Sequence, residues 1–207
     1  MKIEVLAVGE IGTNCYLVYD ENKNTVLIDC GDEASRIIHK IDALSLKLSY
    51  ILLTHAHFDH IGAVDAVRAH TGARVLVSEE DDKMMGNSEL NLSAYQGGKL
   101  AVKSDGIFTE GETITCGSME FAVLKTPGHT KGGVCFYTKG HLFSGDTLFY
   151  ASIGRSDFPG GDYDTLINSI LEKLMPLPDD TVVYPGHGGK STIGFERMNN
   201  PYLLNAN

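Results

Sequence analysis

Four apolar runs in this chain end on histidine or aspartate. "ILLTHAHFDH" delivers His55, His57, Asp59 and His60; "FAVLKTPGH" ends at His129, "HLFSGD" at Asp146 and "TVVYPGH" at His187. Such short, apolar runs read as buried strands. A fold that suits the sequence must therefore bring the C-terminal ends of four strands to one place. Three of the endings pass through a glycine, which permits the sharp turn and close backbone approach of a crowded site. One histidine after a strand is ordinarily a turn residue. Four such endings, one of them a quadruple cluster, point to metal binding.

The rest of the chain supplies a matching scaffold. Alternation and β-branched content predict strands near 3–8, 14–20, 24–29, 49–54 and 74–77, then near 112–115, 119–125, 133–137, 141–145 and 181–184. Apolar stripes predict helices over 33–44 (Ile37, Ile38, Ile41, Leu44), 61–71 (Ile61, Val64, Val67) and 163–174 (Leu166, Ile167, Ile170, Leu171, Leu174). Residues 79–106 are polar and irregular, with room for one short helix, and read either as a lid or as a connection between halves. Both halves mix strands with helices, so the economical architecture is an α/β one, two packed sheets flanked by helices, within a single domain over 1–207.

Composition narrows the classes of function. No stretch is long and apolar enough to span a bilayer. The apolar patch at the N-terminus is broken by Gly9 and Glu10, unlike a secretion signal, so the expected location is cytoplasmic. A formal charge of −10 disfavours a nucleic-acid partner, which would want a basic face. Cys15, Cys30, Cys116 and Cys135 form no C-x-x-C pair and read as buried, reduced thiols. His39, His70 and His141 lie outside any motif and read as surface or packing residues, and Arg197 as a structural ion-pair partner. The sequence leaves the oligomeric state open.

Imidazoles and carboxylates without thiolates suit zinc, iron or manganese. Seven candidate ligands are too many for one catalytic ion, which typically takes three from the protein. They divide into two sites sharing a bridge. The i, i+2 spacing of His55 and His57 suits an extended exit from a strand, where alternate side chains point alike. Two divalent ions there would hold a bridging hydroxide and polarise a carbonyl or phosphoryl oxygen.

H-x-H-x-D-H followed by G-H, G-D and G-H resembles the metallo-β-lactamase superfamily. That resemblance implies an αββα four-layer sandwich of two mixed sheets with the metals at the sheet edges. By position it implies that His55, His57 and His129 bind one metal, that Asp59, His60 and His187 bind the other, and that Asp146 bridges. Asp59 is also the candidate catalytic residue. Asp29, in "VLIDCG", matches an aspartate that supports a ligand from behind. "TPGHTKGGVCFY", "GRSDFPGGD" and "ERMNNP" are similar to small hydrolases related to type II glyoxalase, or hydroxyacylglutathione hydrolase. The chain stops soon after Pro201, without the C-terminal helical region of the full-length enzymes. The implied activity is cleavage of a 2-hydroxyacyl thioester resembling S-lactoylglutathione. Arg155 and Lys131 are then the candidate anchors for the thiol carrier. The resemblance also admits an iron persulfide dioxygenase with a single metal, or a phosphodiesterase or lactonase. A thioester asks least of these residues, because a thiolate of pKa ~8.5–9 departs without a proton donor.

Overall fold

The computed structural model describes residues 1–204. One sheet takes the strands of the first half in chain order: β1 (Lys2–Val8), β2 (Thr13–Tyr19), β3 (Asn24–Ile28), β4 (Lys47–Leu52), β5 (Arg74–Ser78) and β6 (Gly106–Phe108). The first three pair antiparallel through tight connections, and β3 to β6 run parallel. Parallel neighbours need a crossover. Here the crossovers are α1 (Ala34–Ala43), then α2 (Phe58–Ile61) with α3 (Val64–Thr71), then α4 (Glu79–Met85) with a 3₁₀ turn at Ser93–Gln96.

The second sheet is built from β7 (Thr113–Cys116), β8 (Met119–Lys125), β9 (Val134–Thr138) and β10 (His141–Gly145). It is completed, beyond a separate hairpin of β11 (Leu148–Phe149) and β12 (Ser152–Ile153), by β13 (Val182–Pro185) and β14 (Ser191–Thr192). Its order is β14-β13-β10-β9-β8-β7, with only the β10–β13 pair parallel. That pair is bridged by α5 (Tyr163–Ser169) and a wider π turn over Ile170–Leu174. The chain then runs into α6 (Ile193–Asn199) and α7 (Pro201–Leu204).

The period-two pattern of the strands sorts their side chains into three apolar layers. In β2, Cys15 and Leu17 face α1 and α3, whereas Tyr16 and Val18 face the other sheet. In β4 and β5, Ile51 and Val75 join the helix side, and Leu52 and Leu76 the inter-sheet layer. In the second sheet Phe136, Phe143 and Tyr184 point inward, while Cys135, Leu142 and Val183 meet Leu166, Ile170 and Ile193 of the outer helices. The result is the αββα sandwich the resemblance implied.

Three expectations change in detail. The helix expected over 61–71 is two helices, because the Ala63 amide donates to the Cys30 carbonyl (3.0 Å) instead of continuing the helical ladder. The region 79–106 is not a polar connection throughout. α4 lays Asp81, Met84 and Met85 into the interior, and Met84 and Met85 join the first core layer. Short pieces with little periodicity, β6, β11, β12 and β14, were not legible as strands. The four cysteines are free and buried. Arg197 pairs with Asp179 and donates to the Met175 and Leu177 carbonyls.

Candidate metal centre

The polar strand ends converge. β4 ends at Leu52, and the extended exit through Thr54 places His55 and His57 just before α2, which carries Asp59 and His60. His129 lies between β8 and β9, Asp146 follows β10 and His187 follows β13. Their ligand atoms form three overlapping groups, each within 4.8 Å: His55, His57 and His129; His55, His60 and Asp146; Asp59, His60 and His187. Asp146 reaches both outer groups, with Oδ2 3.6 Å from His129 Nε2 and Oδ1 3.4 Å from His60 Nε2. Gly186 makes that approach possible, since a Cβ there would fall 2.1 Å from Asp146 Oδ1.

Four polar atoms of the centre lack hydrogen-bond partners. His55 Nε2, His57 Nε2, His60 Nε2 and Asp146 Oδ1 are buried with no hydrogen bond. A buried polar atom left unpaired costs roughly 1–3 kcal/mol, so four in one place call for a ligand. His57 Nδ1 faces His129 Nε2 at 2.9 Å, and two imidazole nitrogens so placed need a proton or a cation between them. The opposite ring nitrogens are held from behind. His55 Nδ1 meets Thr54 Oγ1 (3.1 Å), His60 Nδ1 meets Asp29 Oδ2 (2.9 Å), and His129 Nδ1 meets the Arg155 carbonyl (2.6 Å). His187 Nδ1 approaches the Ile11 carbonyl at 3.3 Å. Fixing one nitrogen sets the tautomer and aims the other inward.

Charge in the centre is divided between its two ends. Burial, with His129 beside it, pushes His57 down to about 3, and burial pushes His55 well below the usual histidine range. These imidazoles are neutral, as ligation requires. At the other end burial opposes ionisation of His187, but hydrogen bonds to Asp146 and Asp59 raise it to about 9. His60 is likewise held well above its usual range by Asp59, Asp29 and Asp146 against the cost of burial. Burial pushes the Asp59 carboxyl up, yet His60, His187 and Thr13 hold it down to about 2. The acids around His60 and His187 thus favour their cationic forms, a positive charge that metal cations would supply instead. The donor set and its orphaned atoms fit divalent metal.

The surroundings contain groups the sequence did not single out. Asp29 lies where a supporting aspartate was expected, accepting from the Thr54 amide and hydroxyl (both 2.8 Å) as well as facing His60. Asp81 of α4 was missed. It is fully buried, and burial pushes its carboxyl up to about 6 against hydrogen bonds from Thr130, Ala56 and Gly132. Ser78-x-x-Asp81 is a helix-capping spacing, the one sequence signal that marked this helix start. Arg155 is exposed; its guanidinium binds Asp157 through two bonds (2.9 and 2.7 Å) and lies 4.2 Å from the Phe158 ring. Lys131 is exposed next to Gly160. A cleft of about 430 Å³ opens beside Asp59, walled by Val8, Ile11, Phe58 and Leu100 with Glu10 and Asp32 at its margin.

The family model of the metallo-beta-lactamase superfamily matches residues 8–187. Hydroxyacylglutathione hydrolase GloC of Haemophilus influenzae is 43% identical, the match covering 98% of each chain. Among solved structures, the BLEG-1 B3 metallo-beta-lactamase superposes with a TM-score of 0.94 at 40% identity, over 98% of this chain and 99% of that one. TTHA1623, solved in a di-iron-bound form, superposes with a TM-score of 0.86 at 36% identity, over 97% and 100%.

Proposed function

The chain belongs to the metallo-beta-lactamase superfamily, and we propose that within it this protein hydrolyses a small 2-hydroxyacyl thioester, using two divalent metal ions, zinc foremost. The observation that carries the proposal is the convergence of seven ligand-type side chains, four of whose polar atoms are buried without a hydrogen bond. In this reading His55, His57 and His129 hold one ion, Asp59, His60 and His187 the other, and Asp146 stands between them. Two such ions would polarise the scissile carbonyl and make water a nucleophile near neutral pH.

The chain's own residues favour an ester with a good leaving group. The hydroxyls beside the centre are already committed: Thr13 donates to Asp59 (2.8 Å), Thr54 to Asp29 (2.8 Å) and Tyr16 to the Pro185 carbonyl (2.6 Å). An amine leaving group would need a proton donor, and these hydroxyls are engaged, whereas a thiolate needs none. Asp59, the one of the seven ligand-type residues that lines the cleft, is the candidate catalytic residue. The apolar walls of the cleft would receive the acyl chain, and Lys131 and Arg155 would meet a carboxylate of the thiol carrier. The similarity to GloC supports this reading.

The similarity to BLEG-1 favours a second reading, β-lactam hydrolysis at the same centre, and the di-iron form of TTHA1623 keeps iron as an alternative metal. One set of assays tests all three. Protein purified without chelator is analysed for metal, then supplied with S-lactoylglutathione, a chromogenic β-lactam and glutathione persulfide. The expected result is two equivalents of metal and turnover of the thioester well above the β-lactam, without oxygen uptake. A single iron with persulfide-dependent oxygen consumption would overturn the hydrolase reading.

A further inference from the structure

We propose that Asp81 is a positioning residue for one half of the centre: it fixes the two segments that carry His55, His57 and His129 relative to each other. The inference rests on the ligand assignment above and concerns a residue that is not itself a ligand. Asp81 Oδ2 accepts from the amide of Ala56 (3.0 Å), the residue between His55 and His57, and from Thr130 Oγ1 (2.9 Å), the residue after His129. Oδ1 accepts from the amide of Gly132 (2.9 Å). One carboxylate therefore clamps a loop from the first sheet to a loop from the second. Those two loops supply all three histidines of one group, and His55 also stands with His60 and Asp146 in the overlapping group.

The surrounding packing is shaped to this contact. Gly132 has no side chain where one would collide, since a Cβ there would lie 2.2 Å from Ser78 Oγ and 2.5 Å from Asp81 Oδ1. Ser78 starts the helix by accepting from the Asp81 amide (3.4 Å), so the clamp is anchored at a helix N-terminus. Three donors to one fully buried carboxylate, all from segments flanking the histidines, give geometry that a surface acid in an "EEDD" run would not have. The second group has its own support in Asp29, which touches His60 and Thr54. Asp29 thus stands directly behind His60 and, through Thr54, behind His55, whereas Asp81 holds only the loops of the first group.

The test is zinc affinity, measured by competition with a chromophoric chelator, in two backgrounds that each retain one half. His187→Ala disables the second group and His57→Ala the first; each should bind one equivalent where the parent binds two. Adding Asp81→Asn should weaken the site left in the His187→Ala protein by about 10–100-fold. The same change should weaken the site left in the His57→Ala protein severalfold less, because Asp81 bonds to no residue beside Asp59, His60 or His187. Equal weakening in both backgrounds would show a general structural role and overturn the proposal, as would no weakening in either. Should Asp81→Asn fail to fold by circular dichroism, Thr130→Val decides. It removes one donor and should weaken only the first group, severalfold, with Thr130→Ser restoring it; unchanged affinity overturns the proposal. A parent protein that does not bind two equivalents, or single-half variants that do not lose one, would instead refute the ligand assignment itself.

Discussion

Asp29 and Asp81 are both buried carboxylates that accept three hydrogen bonds behind the candidate metal centre, yet they work at different removes. Asp29 touches a ligand-type imidazole directly, through His60 Nδ1 at 2.9 Å. Asp81 accepts from none of the seven and holds the segments that carry three of them, through the Ala56 and Gly132 amides and the Thr130 hydroxyl. One sets the tautomer and aim of a ring; the other sets the distance between two sheets' loops. A metal centre shared by two packed sheets needs both kinds of support, because rotamers alone cannot hold ligands that arrive from separate layers.

Asp146 belongs to neither half alone and should give the largest effect. Its carboxylate lies 3.6 Å from His129 Nε2 and 3.5 Å from His187 Nε2. Asp146→Asn keeps its shape but removes the negative charge between two cations. Turnover should fall on the order of 10²-fold or more, with loss of metal from both groups. Steady-state kinetics beside elemental analysis would check this. Near-normal kcat and two retained equivalents would show that the halves are independent and need no shared carboxylate.

Asp29→Asn sharpens the comparison from the other side. Asp29 sits at φ +58°, a left-handed conformation that asparagine also tolerates, so the change tests charge and hydrogen bonding without new backbone strain. The amide cannot accept from both the Thr54 amide and the His60–Thr54 pair as the carboxylate does. Affinity of the second group should drop about 10–100-fold, and that of the first, which Asp29 reaches only through Thr54 and His55, severalfold less. Loss of metal from both groups together would erase the distinction between the two aspartates.

The two aspartates also differ in how visible they are before folding. Asp29, in "VLIDCG", was picked out through the resemblance, by its match to a supporting aspartate. The seven candidate ligands were legible without it, because they follow the ends of four apolar runs. Asp81 hides in "SEEDDKMM", where four consecutive acids read as a solvated face. Only the helical spacing of Asp81, Met84 and Met85, i, i+3 and i+4, puts the third acid on the inward side. Main-chain acceptors such as the Arg155 and Ile11 carbonyls left no signal in the sequence, because every residue carries one. The layers were readable from alternation; the two-residue strands were not, because a period of two needs more than two residues to register.

A pH series on chelator-treated protein probes the clamp's charge. Burial raises Asp81 from 3.8 to about 6 despite its three donors. The folded state therefore holds that proton more tightly than the unfolded chain. Its contribution is fully present below about 4 and is lost as pH rises through about 6. Asp81→Asn has no proton to lose. The stability of the variant relative to the parent, from urea midpoints, should therefore improve between pH 4 and 6 and then level off. A gap that stays constant across that range would mean the carboxyl is already ionised at pH 4, and that its donors outweigh burial.

Arg155 should show the smallest effect, because its two parts do different work. Its carbonyl holds His129 Nδ1 at 2.6 Å, and no side-chain substitution removes that bond. Its guanidinium is exposed and engaged with Asp157 and Phe158 on the same loop. Exposed ion pairs contribute little to stability, so Arg155→Ala should leave the melting temperature and metal content close to those of the parent. If the exposed fork also meets the thiol carrier, KM for an anionic thioester should rise several-fold with kcat retained, and a neutral thioester should be far less affected. If KM rises equally for both esters and the melting temperature falls, the guanidinium acts as a loop fastener that keeps the carbonyl under His129. The comparison would then gain a third support, a surface ion pair acting through the main chain as Asp81 does from the interior.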